Sequence, residues 1–171
     1  AYVGLGSNLG DREATIRSAL AALAALPGVD ALRESTLRES APWGDACLGQ
    51  PTYLNGVAEI RTRLSPGDLL DALLRVESRF GRTREERWAP RTLDLDLLLY
   101  GDRSFRRPGL EVPHPRMASR RFVLEPLLEL APQLLMPDGV PVKTLLAALP
   151  PESPPDSHAR RLPKRPPWPE Q

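Results

Sequence analysis

The chain predicts an α/β (α+β) fold: a ferredoxin-like β-α-β-β-α-β core, an antiparallel sheet with helices packed on it, then short helices and a Pro-rich tail. Three observations predict it. Two segments carry apolar residues at helical spacing between capping signals. Two others alternate with a period of two, or run as short apolar stretches ended by glycine. These segments follow one another in the order strand, helix, two strands, helix, strand.

Tyr2 to Leu5 read as a short buried strand, ended by Gly6-Ser7-Asn8. Asp11 can cap a helix running from Arg12 to about Leu26. Its residues Ile16, Leu20, Leu23 and Leu26 recur on one face, and Pro27-Gly28 stops it. Asp30 to Ser40 read as one strand with weak alternation. Pro42, Gly44, Gly49 and Pro51 make 41–52 a loop. From Tyr53 to Leu64 the alternation is clear: Leu54, Ala58 and Ile60 face one side, Tyr53, Asn55, Val57 and Glu59 the other. The second helix has Ser65 as N-cap, Pro66 in its first turn and Asp68 three residues on, and ends near Phe80 with Gly81 as its cap. Leu93 to Tyr100 read as a strand with Leu93, Leu95, Leu97 and Leu99 on one face and Asp94 and Asp96 on the other. Pro-punctuated loops follow, then short helices around Phe122–Leu130 and Val142–Leu149.

The 171 residues suit one domain, taken as 1–149, with 150–171 a flexible tail: eight of the 20 prolines fall in that last segment. Hydrophobic residues are 41%, charged residues 26% and the net charge is +1, which argues against disorder and against a broadly basic nucleic-acid binder. A single cysteine, Cys47, excludes an internal disulfide and a Cys-based zinc cluster. No apolar run reaches the ~20 residues of a membrane span, and no signal peptide is visible, so the expected setting is cytoplasmic. The expected partners are small molecules, with no nucleic acid and no membrane, and the chain is expected to be a monomer. The balanced total hides a basic stretch. Residues 82–121 hold ten Arg and six acids, a net of +4.

Chemistry concentrates in that stretch. Asp94 and Asp96 stand ~6–7 Å apart along one strand face. Two like charges so placed repel unless a cation sits between them, and Mg²⁺ takes carboxylate oxygens together with phosphates. An isolated D-x-D is more often the solvated face of an edge strand. Arg82, Arg84, Arg87 and Arg91 precede the pair and offer planar forks suited to phosphate oxygens, or pair with Glu85 and Glu86. Trp88 could cap a ligand or anchor the loop. Glu77 shares a helix face with Leu70, Leu73 and Phe80. A carboxylate on an apolar stripe needs a partner, either an Arg or a ligand. His114 sits in Val-Pro-His-Pro, and Arg120 and Arg121 extend the basic wall. The absence of G-x-x-x-x-G-K-[ST] argues against a P-loop NTPase.

Arg82-x-Arg84, Glu86-Arg87-Trp88 and Ala89-Pro90-Arg91-Thr92-Leu93-Asp94-Leu95-Asp96 resemble the signature of the 6-hydroxymethyl-7,8-dihydropterin pyrophosphokinases of folate biosynthesis. Gly6-Ser7-Asn8, Tyr53-Leu54-Asn55, Glu77 and Val112-Pro113-His114 match in the same order, over about residues 1–149. The resemblance implies transfer of the β,γ-diphosphate of ATP, the co-substrate, to the pterin hydroxymethyl oxygen, with two Mg²⁺ held by Asp94 and Asp96. It also implies catalytic roles for Arg82 and Arg91, on a mobile loop that closes over the site, and for Asp96. Leu70, Glu77, Arg84, Arg91, Leu97, His114 and Arg120 would bind ATP. Ser40, Pro42, Trp43, Tyr53, Asn55, Trp88 and Phe122 would bind the pterin. Two positions depart from the family's habit: Leu74 replaces a polar residue, and Gly109 a basic one, for which Arg106 or Arg107 could substitute. The alternative from another class is an RNA-binding ferredoxin-like module. It lacks RNP-type aromatics, and Asp94 and Asp96 would repel phosphate unless metal were bound.

Overall fold

A computed structural model describes residues 1–42, 50–81 and 91–150. Within them the elements run β1 (Tyr2–Ser7), α1 (Arg12–Ala24), β2 (Val29–Glu34), β3 (Arg38–Ser40), β4 (Tyr53–Thr62), α2 (Pro66–Arg79), β5 (Asp94–Leu99), β6 (Phe105–Arg107), β7 (Leu110–Val112), α3 (Arg121–Leu130) and α4 (Val142–Ala148). The main sheet has the order β2-β4-β1-β5, with β3 also paired to β4, and every pairing is antiparallel.

The helix signals act as read. Asp11 accepts from the Ala14 amide at the start of α1, and Ser65 accepts from Asp68 N at the start of α2, where Pro66 has no amide hydrogen to leave unbonded. Gly81 follows α2 at φ +76°, a conformation that costs glycine little.

Three strand readings need correction. First, β1 continues through Gly6 to Ser7 instead of ending at Leu5. Gly6 pairs with Asn55 on one side and Asp94 on the other, so its backbone stays in mid-sheet. Second, the single strand expected over 30–40 is two. Glu34 lies opposite Ala58 and Arg38 opposite Asn55, so one strand spends an extra residue, a bulge. Short polar side chains make the break possible: Ser35 Oγ accepts from Val57 N (3.0 Å), and Thr36 donates from both its amide and its hydroxyl to Glu129 Oε1 (3.0 and 2.9 Å). Third, Leu99 does not share a face with Leu93, Leu95 and Leu97. Tyr2 pairs with Leu99 but Val3 with Leu97, so Leu98 is supernumerary and the alternation changes phase there.

The sheet therefore separates two apolar layers. Val3, Leu5, Leu54, Ile60, Leu93, Leu95 and Leu97 pack with Ile16, Leu20 and Leu23 of α1 and Leu69, Leu73 and Val76 of α2. On the other face Val57, Leu98 and Leu99 pack with Met117, Leu124 and Leu127 and with Val142 of α4. Between β5 and α3, a stretch expected to be only Pro-punctuated loop forms the β6–β7 hairpin. Its turn is Pro108-Gly109, with Gly109 at φ +78°.

Candidate active site

Two glycines open the site. Gly4 and Gly6 of β1 face the second layer. Across the strands Gly6 lies between Asn55 and Asp94, and Gly4 between Val57 and Asp96. Alternate glycines in a central strand leave a trough where side chains would stand. A Cβ on Gly6 would come within 3.2 Å of Asn55 Oδ1 and 3.6 Å of Asp94 Cβ. Over this floor lies a cavity of about 310 Å³, with Ser40, Tyr53 and Asn55 of β3 and β4 and Asp94 and Asp96 of β5 in its walls, together with Arg91, Arg116, Arg120 and Phe122.

On the acidic side, each carboxylate has a guanidinium. Arg91 Nη1 donates to Asp94 Oδ2 at 2.8 Å. Burial opposes the Arg91 charge, but the attraction of Asp94 and its hydrogen bond outweigh that and raise the pKa above its ordinary value. Asp96 Oδ2 lies 3.8 Å from Arg120 Nη1 and 3.9 Å from His114 Nε2. The His114 amide donates to Leu98 O (2.9 Å), and Arg116 N donates to His114 Nδ1 (3.2 Å). An acceptor at Nδ1 leaves the ring proton on Nε2, facing Asp96. Burial, then the nearby Arg120 and Arg116, push the His114 pKa down against the opposing pull of Asp96, so the neutral ring is favoured. Arg120 is itself lowered, by burial first and then by Arg116. Its guanidinium carbon also stands 5.7 Å from the Phe122 ring centroid, within cation–π range.

The opposite side presents an amide held in place. Asn55 is 7% exposed and its Nδ2 donates to Ser40 Oγ at 2.7 Å. That bond fixes which amide atom is committed to the protein and leaves Oδ1 over the Gly6 floor. Asn8, 2% exposed, joins the two sides. Its Oδ1 accepts from Arg91 N (2.6 Å), its own amide donates to Arg91 O (3.0 Å), and its Nδ2 donates to Gln50 Oε1 (3.3 Å), which also accepts from Tyr53 Oη (3.3 Å).

Of the residues singled out in the sequence, Ser40, Tyr53, Asn55, Arg91, Asp94, Asp96, Arg120 and Phe122 meet around one cavity. His114 approaches it through Asp96. Pro42 does not line it, although its neighbour Ala41 does. Leu70, Glu77 and Leu97 lie on the other face of the sheet. Leu97 is in the α1–α2 layer with Leu70 packed against it, and Glu77, 1% exposed, accepts from the Leu95 amide at 2.7 Å. β5 ends the sheet order, so its two faces meet at its outer edge. Trp43, Arg82, Arg84, Arg87 and Trp88 lie outside the described residues. Arg121 does not extend the wall as expected: it pairs with Glu125 and donates to the carbonyls of Leu149 and Pro150. Arg106 lies beside Glu111, and Arg107 reaches Gly67, so neither lines the cavity. Sequence reasoning missed Arg116, and it missed Asn8 as a clamp. Nothing local signals either. The glycines at 4 and 6, two apart in an apolar strand, were a legible sign of close approach.

The chain is similar to known proteins over most of its length. Residues 2–132 match the family described as 7,8-dihydro-6-hydroxymethylpterin-pyrophosphokinase (HPPK). A Pseudomonas aeruginosa protein named 2-amino-4-hydroxy-6-hydroxymethyldihydropteridine pyrophosphokinase is 50% identical over 149 residues, covering 87% of this chain and 91% of its own. Proteins of the same name from Synechocystis and Bacillus subtilis are 46% and 45% identical, over 80% and 78% of this chain and 69% and 79% of theirs. None of these likenesses supports the RNA-binding alternative. With residues 2–132 matched to the family, and half of 149 aligned positions identical in one relative, the protein belongs to the HPPK family, enzymes of folate biosynthesis.

Proposed function

We propose that the chain transfers the β,γ-diphosphate of ATP to the hydroxymethyl oxygen of 6-hydroxymethyl-7,8-dihydropterin, a step toward tetrahydrofolate. The observation that carries the reading is the pairing, in one cavity, of an Asp94–Asp96 face with the Asn55 amide across a glycine floor. The pterin's edge of donors and acceptors suits Asn55, and its ring suits Phe122 and Tyr53. Trp43 and Trp88, outside the described residues, belong to the same proposed pocket, as do Ser40 and Pro42.

The donor set fits Mg²⁺. Asp94 and Asp96 offer oxygens only, half-buried, and among the described residues no cluster of three or more His, Cys, Asp or Glu makes a self-sufficient cage. Two carboxylates alone suit a cation that keeps waters and arrives with substrate phosphates. When bound, two such ions would neutralise polyphosphate charge and polarise the β-phosphorus.

The chain's own residues do the rest. The hydroxymethyl oxygen forms a bond to the β-phosphorus, the bond from that phosphorus to the α,β-bridging oxygen breaks, and AMP leaves with that oxygen. Asp96 accepts the hydroxyl proton. Arg91, held by Asn8 and Asp94, and Arg120, beside Asp96, set fixed positive charge where negative charge shifts during transfer, which is where preorganised electrostatics contributes most. Arg82 belongs to the same proposed set. His114, Arg84 and the groups toward the other side of β5, Leu70, Glu77 and Leu97, would hold the nucleotide over that strand's edge. The sheet order and the placement of α1 and α2 on one face support reading the core as ferredoxin-like, and residues 1–149 as one catalytic domain.

The test is product analysis. With ATP, the pterin and Mg²⁺ together, AMP and pterin diphosphate should form in equal amounts, and omission of any one should abolish both. Formation of ADP instead would overturn diphosphoryl transfer.

A further inference from the structure

We infer that Arg116 binds the polyphosphate of the nucleotide co-substrate, a third cationic contact beside Arg91 and Arg120; this rests on the reading of the site as an ATP site. Arg116 lines the same cavity as both arginines and both carboxylates. With it, the lining carries three guanidinium groups against two carboxylates. A metal–polyphosphate ligand needs that arrangement, because the carboxylates serve the cations while the guanidinium forks serve phosphate oxygens.

The main chain under Arg116 is fixed and its side chain is not buried. Its amide is tied to His114 Nδ1, its carbonyl accepts from Ser119 Oγ at 3.0 Å, and the next residue, Met117, is 1% exposed in the second layer. The side chain itself is exposed along the cavity wall. Its charge stands with those of Arg91 and Arg120 around that cavity.

Among the described residues, the hairpin ahead of His114 supplies no arginine to the cavity. Gly109 is the φ +78° residue of the β6–β7 turn, and a side chain there would be strained. Arg106 and Arg107 are turned to Glu111 and Gly67. Arg116 is the arginine of this region, other than Arg120, that lines the cavity among the described residues.

The experiment compares wild type with Arg116→Ala, Arg116→Lys and Arg116→Glu. It measures the affinity of each for a non-hydrolysable ATP analogue with Mg²⁺, for AMP and for the pterin, together with KM, kcat and Tm. Arg116→Ala should weaken the analogue by about tenfold, the scale of one charge-assisted hydrogen bond, and raise KM for ATP alike. Affinity for AMP and pterin, and Tm, should stay near wild type. Arg116→Lys should recover part of the loss and Arg116→Glu should deepen it. If wild type binds the analogue and forms AMP but Arg116→Ala binds it within twofold of wild type, this inference falls and the ATP site stands. If pterin affinity falls instead, Arg116 serves the other substrate and the inference again falls. If wild type neither binds the analogue nor forms AMP, both readings fall together.

Discussion

At the scale of single residues, each carboxylate of the site has a guanidinium beside it before any ligand arrives. Asp94 has Arg91, and Asp96 has Arg120 and the Nε2–H of a neutral His114. Partners on hand lower the cost of exchanging protein contacts for cation and phosphate contacts during binding. Asp96→Ala should therefore reduce kcat by at least ~10²-fold, the scale of losing one electrostatic stabiliser, while the fold persists. A steady-state assay beside a melting curve checks this, and a near-normal rate would remove Asp96 from the chemistry. The Asp pair could be found in the sequence because strand alternation fixes what shares a face, and Asn55 through the resemblance of Tyr53-Leu54-Asn55 to the family. Asn8 could not, because its importance comes from Arg91 and Gln50, which are brought to it only by the fold. Glu77 stood out as a carboxylate on an apolar stripe. An amide of the neighbouring strand answers it, and no sequence spacing points to that partner.

At the scale of elements, the strands carry the information that alternation alone does not. Both helices with strong caps could be placed to within a residue or two at their starts. The sequence predicts one continuous strand over 30–40 and another over 93–100, and both contain an extra residue. A bulge is a pairing event between two chains segments, so it leaves no trace in either segment read alone. On β1 the glycines had the opposite effect: they ended the predicted strand early, because glycine is the usual sign of a turn. Here it marks an open floor. Gly6→Ala should keep the fold, since alanine is no worse than glycine in a strand, but its methyl would sit 3.2 Å from Asn55 Oδ1. We expect KM for the pterin to rise about tenfold or more, the cost of a crowded methyl in a fitted site, with Tm little changed. An unchanged KM would mean that the pterin does not lie over Gly6.

At the scale of the whole molecule, one sheet insulates two apolar layers. Ile16 belongs to the first and Leu127 to the second, and both are fully buried. Ile16→Val should cost ~0.5–1.5 kcal/mol and Leu127→Ala ~2–5 kcal/mol. Because they share no packing partner, the double variant should equal the sum within ~0.5 kcal/mol by denaturant unfolding. A larger discrepancy would show that strain crosses the sheet. The first layer was visible in the sequence through helix periodicity and the leucines of β5. The second was less so, since it is assembled partly from Leu98 and Leu99, displaced by the bulge, and from helices only seven and ten residues long. The row Asn55–Gly6–Asp94 has a consequence in time as well as in space. Its three members come from the beginning, the middle and the latter half of the chain and meet only when β1 has closed against both β4 and β5. Pairings between such distant segments pay their loop-closure entropy before any contact repays it, so they set the pace of folding. A newly made chain can thus form its helices early yet possess no trough for a substrate until its central strand is in place, and catalytic competence is reached at the close of folding.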